Sequence, residues 1–261
     1  MSVALRLPIA PRAGRLIERN LLVYKHGWLV IASGLAEPLL YLFAIGFGLG
    51  SLVGTVQSGG HAVSYAAFVA PALMASSAMN GAVAEATFNL FHKLRYAKIY
   101  DSVLATPVGP VDVAVGEVAW ALIRGSVYAV CFLAVMAAAR LVASPLSLLM
   151  VPGAVLIGFA FAAACMAGTT FMRSWQDFDL VQLTMVPLFL FSATFFPLST
   201  YPPALQVVVE LTPLYHGVDL LRALAVGSLG WTQAVDVAYL LALGAAGVLV
   251  TSRRLERLLL R

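Results

Sequence analysis

Glu37, Glu85, Glu117 and Arg124 each stand inside a long apolar run of the chain. An ionisable group at membrane depth is costly and is normally kept with a partner. Three carboxylates and one guanidinium can tie helices together as ion pairs, or they can line a route for a polar headgroup. A carboxylate that binds and releases protons would instead serve an ion-coupled carrier. With a rise of ~1.5 Å per residue, Glu37 lies about 14 Å and Arg124 about 21 Å from the same membrane face. An arginine stem spans that gap, so Glu37–Arg124 is the first expected pair. Glu117, seven residues before Arg124, shares its helix face, and Glu85 has a similar depth on another run.

Other chemistries find little support. A phosphate-cradling loop needs GxxxxGK[ST], yet none of Lys25, Lys93 and Lys98 follows a glycine. His26, His61, His92 and His216 are far apart and suggest neither a triad nor a metal set. Cys131 and Cys165 lie in apolar runs, with no CxxC spacing, and read as free core thiols. No cofactor is expected on this chain.

The elements that hold these groups follow from composition. Hydrophobic residues make up 61% of the 261 residues and charged ones 11%, against about 25% charged in a soluble domain. An all-α integral membrane protein is therefore expected. Six runs reach spanning length or approach it: 28–52, 64–91, 111–139, 145–172, 180–197 and 231–251, the fifth being the shortest. Arg6, Arg12, Arg15, Arg19 and Lys25 precede the first. Lys93, Arg95 and Lys98 follow the second, Arg173 the fourth, and Arg253, Arg254, Arg257 and Arg261 the sixth. Only Arg140 and Arg222 fall on the other side. The positive-inside rule then makes both termini cytoplasmic. The net charge of +4 is a topology signal, and no nucleic-acid partner is invoked.

Residues 11–26 read as an interfacial amphipathic helix, with Arg12, Arg15 and Arg19 on one face and Ile17, Leu21 and Tyr24 on another. Residues 199–230 are too polar and proline-marked to span. ALQVVVEL and YHGVDLLRALAV within them carry helical spacing, which fits two short re-entrant helices on the external side. Small residues four apart, Gly46/Gly50/Gly54 and Ala160/Ala164/Gly168, permit close helix packing.

Residues 91–107, FHKLRYAKIYDSVLATP, form a polar segment between two spans. Thr106-Pro107 should end any helix there, because the residue before proline is pushed out of the α region. On the residues alone, this is either a helix docking into a groove of another protein or a cap on the membrane surface.

Three stretches together carry a family resemblance: the amphipathic N-terminal helix, FHKLRYAKIYDSVLATPVGPVDVAVGE after the second span, and FFPLSTYPPALQVVVELTPLYHGVDLLRAL between the fifth and sixth. The chain resembles the membrane subunit of an ABC-2 type exporter, in particular the nodulation-type lipo-oligosaccharide exporter permeases. The resemblance implies that 91–107 is a coupling helix seated on a cytoplasmic ATPase through Lys93, Arg95, Tyr96, Lys98, Tyr100, Asp101 and Pro107. It implies two permease chains with two ATPase chains, the latter holding ATP and Mg. It places Tyr41, Phe43, Phe47, Phe189, Phe191, Phe195 and Phe196 along a substrate path facing the dimer cavity. Export of a lipo-oligosaccharide, glycolipid or hydrophobic drug across a bacterial inner membrane is the implied activity. A partner-free ion-coupled carrier or lipid scramblase is the alternative.

Overall fold

The computed structural model describes residues 9–24, 28–58, 60–97, 99, 103, 106 and 108–259. Among the described residues, five helices are long and apolar enough to cross a membrane: Ala36–Val53, Tyr65–Asn89, Asp112–Ala138, Pro145–Thr169 and Trp231–Arg254. The chain is a multi-pass membrane protein.

Helix α1 (Ile9–Tyr24) packs against α5 (Pro110–Ala138). It buries Leu16 and Asn20, one turn apart, and leaves Leu21 and Leu22 exposed. The first span starts as α2 (Trp28–Tyr41). Pro38, which cannot donate a hydrogen bond to the turn before it, is followed by wide π-type turns over Leu42–Leu49 and then by α3 (Gly50–Val53). Gly54 ends this element at φ 74°, a left-handed backbone that favours glycine. The chain then makes a hairpin, β1 (Thr55–Ser58) against β2 (His61–Ser64), with Thr55 opposite Ser64. The expected all-α fold is corrected to this extent: a short antiparallel pair follows the first span.

The centre of the bundle is α4 (Tyr65–Ala84), capped by the Ser64 hydroxyl on the Ala67 N–H at 3.3 Å. It is apolar nearly all round, with Phe68, Val69, Leu73, Met74 and Met79 buried, as a helix enclosed by others should be. Wide turns continue it through Glu85–Asn89 and recur at His92–Tyr96. Helix α5 starts at Pro110, where the Gly109 N–H donates to the Asp112 carboxylate at 2.8 Å. A 3₁₀ turn over Pro145–Leu149 leads into α6 (Met150–Thr169). The last helix, α10 (Trp231–Leu259), lies so close to α6 that a Cβ at Gly247 would sit 2.4 Å from the Ala163 backbone. The small-residue contact on α6 thus centres on Ala163.

The expected fifth span departs most from expectation. Helix α7 (Asp177–Phe191) has 15 residues, about 22 Å of rise, and then stops. Residues 192–196 are not helical, Ala193 has φ 54°, and Ser192, Ala193 and Thr194 are buried. Irregular backbone that is buried is tolerated when protein satisfies its polar groups. Here the Ser192 and Thr212 hydroxyls lie 3.0 Å apart, and Arg222 donates to the Thr194 carbonyl at 2.9 Å. The two short helices expected within 199–230 are present as α8 (Pro203–Glu210) and α9 (Pro213–Val226). Helix α9 packs on α4, α6 and α10.

Candidate functional site

Glu85, Asn89 and Lys93 recur every four residues on the continuation of α4 and face α5. Lys93 Nζ is 2.6 Å from Glu117 Oε2 and 3.9 Å from Glu85 Oε1. Arg124 Nη1 is 2.9 Å from Glu85 Oε2, and Asn89 donates to the same oxygen at 2.7 Å. Two cations and two carboxylates neutralise one another in a buried setting, which is what charges removed from water require. Two expectations change. Arg124 pairs with Glu85 and not with Glu37, because α4 packs directly on α5 while Glu37 is exposed on α2. Lys93, expected on the docking surface, turns inward with its side chain only 12% exposed.

Arg124 also borders a cavity of about 340 Å³ between α2, α4, α5 and α7. Its polar wall is Glu37, Ser76, Ser77, Asn80, Asn89, Arg124 and Tyr128; Tyr41 and Phe189 close the apolar side. Of the expected aromatic path, three rings form a chain: Tyr41 to Phe189 at 5.6 Å and Phe189 to Phe195 at 5.2 Å. Phe43 stacks on Phe47 at 5.7 Å, both exposed. Phe191 is exposed and borders a smaller groove with Val208 and Thr212. Phe196 is also exposed.

Beneath the charge cluster lies a group of rings. Phe88 and Phe91 pack on Phe178 at 4.4 and 5.1 Å, and Phe91 and Tyr96 contact Trp175 at 5.4 and 5.5 Å. Phe91 and Phe178 are buried, whereas Tyr96 and Trp175 are exposed. The turn between α6 and α7 thereby becomes part of the surface that begins at His92. Of the expected docking residues, Lys98, Tyr100, Asp101 and Pro107, and the side chain of Arg95, lie outside the described residues.

At the opposite end of the bundle, Arg222 donates to the carbonyls of Phe68 at 3.1 Å and Thr194 at 2.9 Å, and its guanidinium sits 3.7 Å above the Phe68 ring. Asp219 accepts from Gln233 at 2.8 Å, and His216 Nδ1 lies 2.7 Å from Asp236.

The family model described as ABC-2 type transporter matches residues 13–226, which takes in α1, the charge cluster, the cavity and the break after α7. The chain belongs to the ABC-2 type transporter family. Nodulation protein J of Rhizobium meliloti (strain 1021) is 36% identical to it over 214 residues, covering 81% of this chain and 80% of that protein. Nodulation protein J of Rhizobium leguminosarum bv. trifolii is 36% identical over 213 residues, covering 80% and 79%.

This ABC-2 type chain is thus a membrane-embedded transport subunit, and membership implies an ATPase partner within a transporter complex. Sequence reasoning missed several residues of its site. Asn89 carried a usable signal, its spacing of four from both Glu85 and Lys93. Ser76, Ser77 and Asn80 are three polar side chains within five positions of an apolar helix. Trp175 and Phe178 carried no local signal, since the rings they meet at Phe88, Phe91 and Tyr96 are 79 to 90 residues away.

Proposed function

We propose that this chain is the permease half of an ATP-driven exporter that moves an amphipathic or lipid-linked substrate out of the cytoplasm or inner leaflet. The observation that carries the reading is the position of Lys93. It stands in the segment after α4, and its ammonium grips Glu117 and Glu85, while Glu85 holds Arg124 at the cavity wall. A push on that segment is passed through buried ionic contacts, short at Glu117 and Arg124 and longer, 3.9 Å, between Lys93 and Glu85, into the space where a headgroup would sit.

In this reading two copies of the chain work with two cytoplasmic ATPase subunits, which hold ATP and Mg. The ATPase docks against Arg95, Tyr96, Lys98, Tyr100 and Asp101, bounded by Pro107, with Trp175 beside them. ATP-driven closure of the ATPases displaces His92–Tyr96. Glu37, Arg124 and the serines receive polar groups, and the rings Tyr41, Phe189 and Phe195 receive apolar ones. Phe43, Phe47, Phe191 and Phe196 extend the apolar face toward the second copy. Helix α7 together with residues 192–196 makes a sixth crossing, so that both termini face the cytoplasm of a bacterial inner membrane. A lipo-oligosaccharide, glycolipid or hydrophobic drug fits such a cavity.

The test is co-purification of a cytoplasmic ABC ATPase with the complete chain and with a variant that has Arg95, Tyr96 and Asp101 changed to alanine. Loss of recovery in the variant supports docking; equal recovery overturns it. Glu37, exposed on the cavity, is the group a partner-free ion-coupled carrier would titrate. Uphill transport by the purified chain in vesicles without nucleotide would decide for that second reading.

A further inference from the structure

A second and larger hollow, of about 820 Å³, runs between α6, α7 and α10, within the range of about 300–1,000 Å³ seen for small-molecule sites. It is separate from the cavity that holds Arg124. Phe161, Ala164, Gly168, Leu180 and Leu243 line it, so its wall is largely apolar along α7 from Leu180 to Leu188, about 12 Å of helix rise. That length covers most of one leaflet of a ~30 Å hydrocarbon core. Apolar surface at that depth is covered by hydrocarbon.

The charged groups gather at one end only. Arg173 lines the rim. The Arg254 guanidinium lies 4.1 Å over the ring of Phe171, itself a lining residue, and Arg254 Nε is buried with no hydrogen-bond partner among the described residues. Arg253 and Arg257 follow on the same end of α10. The acidic groups there are Asp177, whose carboxylate is occupied by the N–H groups of Arg173 and Ser174 at 2.6 and 3.1 Å, the exposed Asp179, and Glu256, which stands between Arg254 and Arg257 in the sequence of α10. The rim is net positive and holds one unsatisfied donor above a tail-length apolar wall.

We propose that this groove binds an anionic phospholipid, with an acyl chain along α6 and α7 and the phosphate between Arg173 and Arg254. The site is independent of ATPase docking. Only its assignment to the cytoplasmic leaflet rests on the topology proposed above.

Native mass spectrometry of the full chain in a neutral detergent tests this, with added dioleoyl phosphatidylglycerol or dioleoyl phosphatidylcholine as probes. The unmodified chain should retain phosphatidylglycerol preferentially. Each of Arg173→Gln and Arg254→Gln should lower that preference about fivefold, the worth of one arginine near a lipid surface. Arg173 lies on an exposed turn, so its variant keeps the test open if the Arg254 variant fails to fold. Gly168→Leu points into open space and should lower occupancy by both lipids. Arg140→Gln, at the other end of the bundle, should change nothing. Undiminished preference in both rim variants, or an equal drop with Arg140→Gln, overturns the proposal. A change of oligomeric state with Gly168→Leu, lipid occupancy being unchanged, would overturn it in favour of a second copy as occupant.

Discussion

The two ends of the bundle handle buried charge in different ways. At the α4–α5 end, Lys93, Glu117, Glu85 and Arg124 balance one another's charge through flexible side chains carried on separate elements. At the α9–α10 end, Arg222 is satisfied by two backbone carbonyls and a ring. Side-chain pairs can persist while their helices shift by an ångström or two. Bonds to carbonyls in α4 and in residues 192–196 fix the backbone itself. The first arrangement suits a joint that must transmit movement; the second suits an anchor.

The largest expected effect comes from removing a cation from the joint. Lys93→Met removes the ammonium 2.6 Å from Glu117 and should lower stability by about 3 kcal/mol, read as thermal unfolding of purified protein. Adding Glu117→Gln should restore much of it. If Lys93→Met is no more harmful than Glu37→Gln, the joint does not exist as described. Next, Arg222→Leu strands the carbonyls of Phe68 and Thr194 and should lower stability by about 2–3 kcal/mol, with Arg222→Lys falling between it and the native protein. A milder outcome for the leucine variant than for the lysine variant would remove the anchor from the comparison.

Glu37→Gln separates cavity from joint. The residue is exposed, so stability should move by no more than about 0.5 kcal/mol, while ATP-dependent transport in vesicles falls. The smallest effect is expected at Asp177. The N–H groups of Arg173 and then Ser174 hold its carboxyl below the usual aspartate range. A depressed value contributes stability that is present above the unfolded aspartate range, near pH 4, and is lost as the pH falls through the lower folded value. Asp177→Asn should therefore flatten the acid limb of a stability–pH curve and leave its neutral part nearly unchanged.

Much of the architecture was legible because run length is a local property. Five of the six expected runs are long helices, and the two stretches with helical spacing within 199–230 are helices, which start at the prolines read as breaks, Pro203 and Pro213. The sequence FLFSATFF reads as uninterrupted membrane helix, yet it breaks after Phe191. The groups that make the break tolerable, Thr212 and Arg222, lie some 20 to 30 residues on. The Glu37–Arg124 expectation failed for a related reason. Depth along a helix follows from counting, but rotation about the bundle does not, and Glu85 had the better azimuth. Lys93 was assigned to the surface because it follows an apolar run; the spacing from Glu85 to Asn89 to Lys93 would have turned it inward. VQSGGHAV is too short to show a strand period, so the hairpin passed as loop.

The wide turns deserve a last consequence. Glu85–Asn89 and His92–Tyr96 flank Lys93's approach to its carboxylates, and each carries more than 3.6 residues per revolution. Tightening one such coil to ordinary pitch hands a single residue down the thread. Everything beyond it then swivels by about 100° and slides by about 1.5 Å. A stroke of that size needs no hinge between domains, only a one-notch slip within a continuous rod.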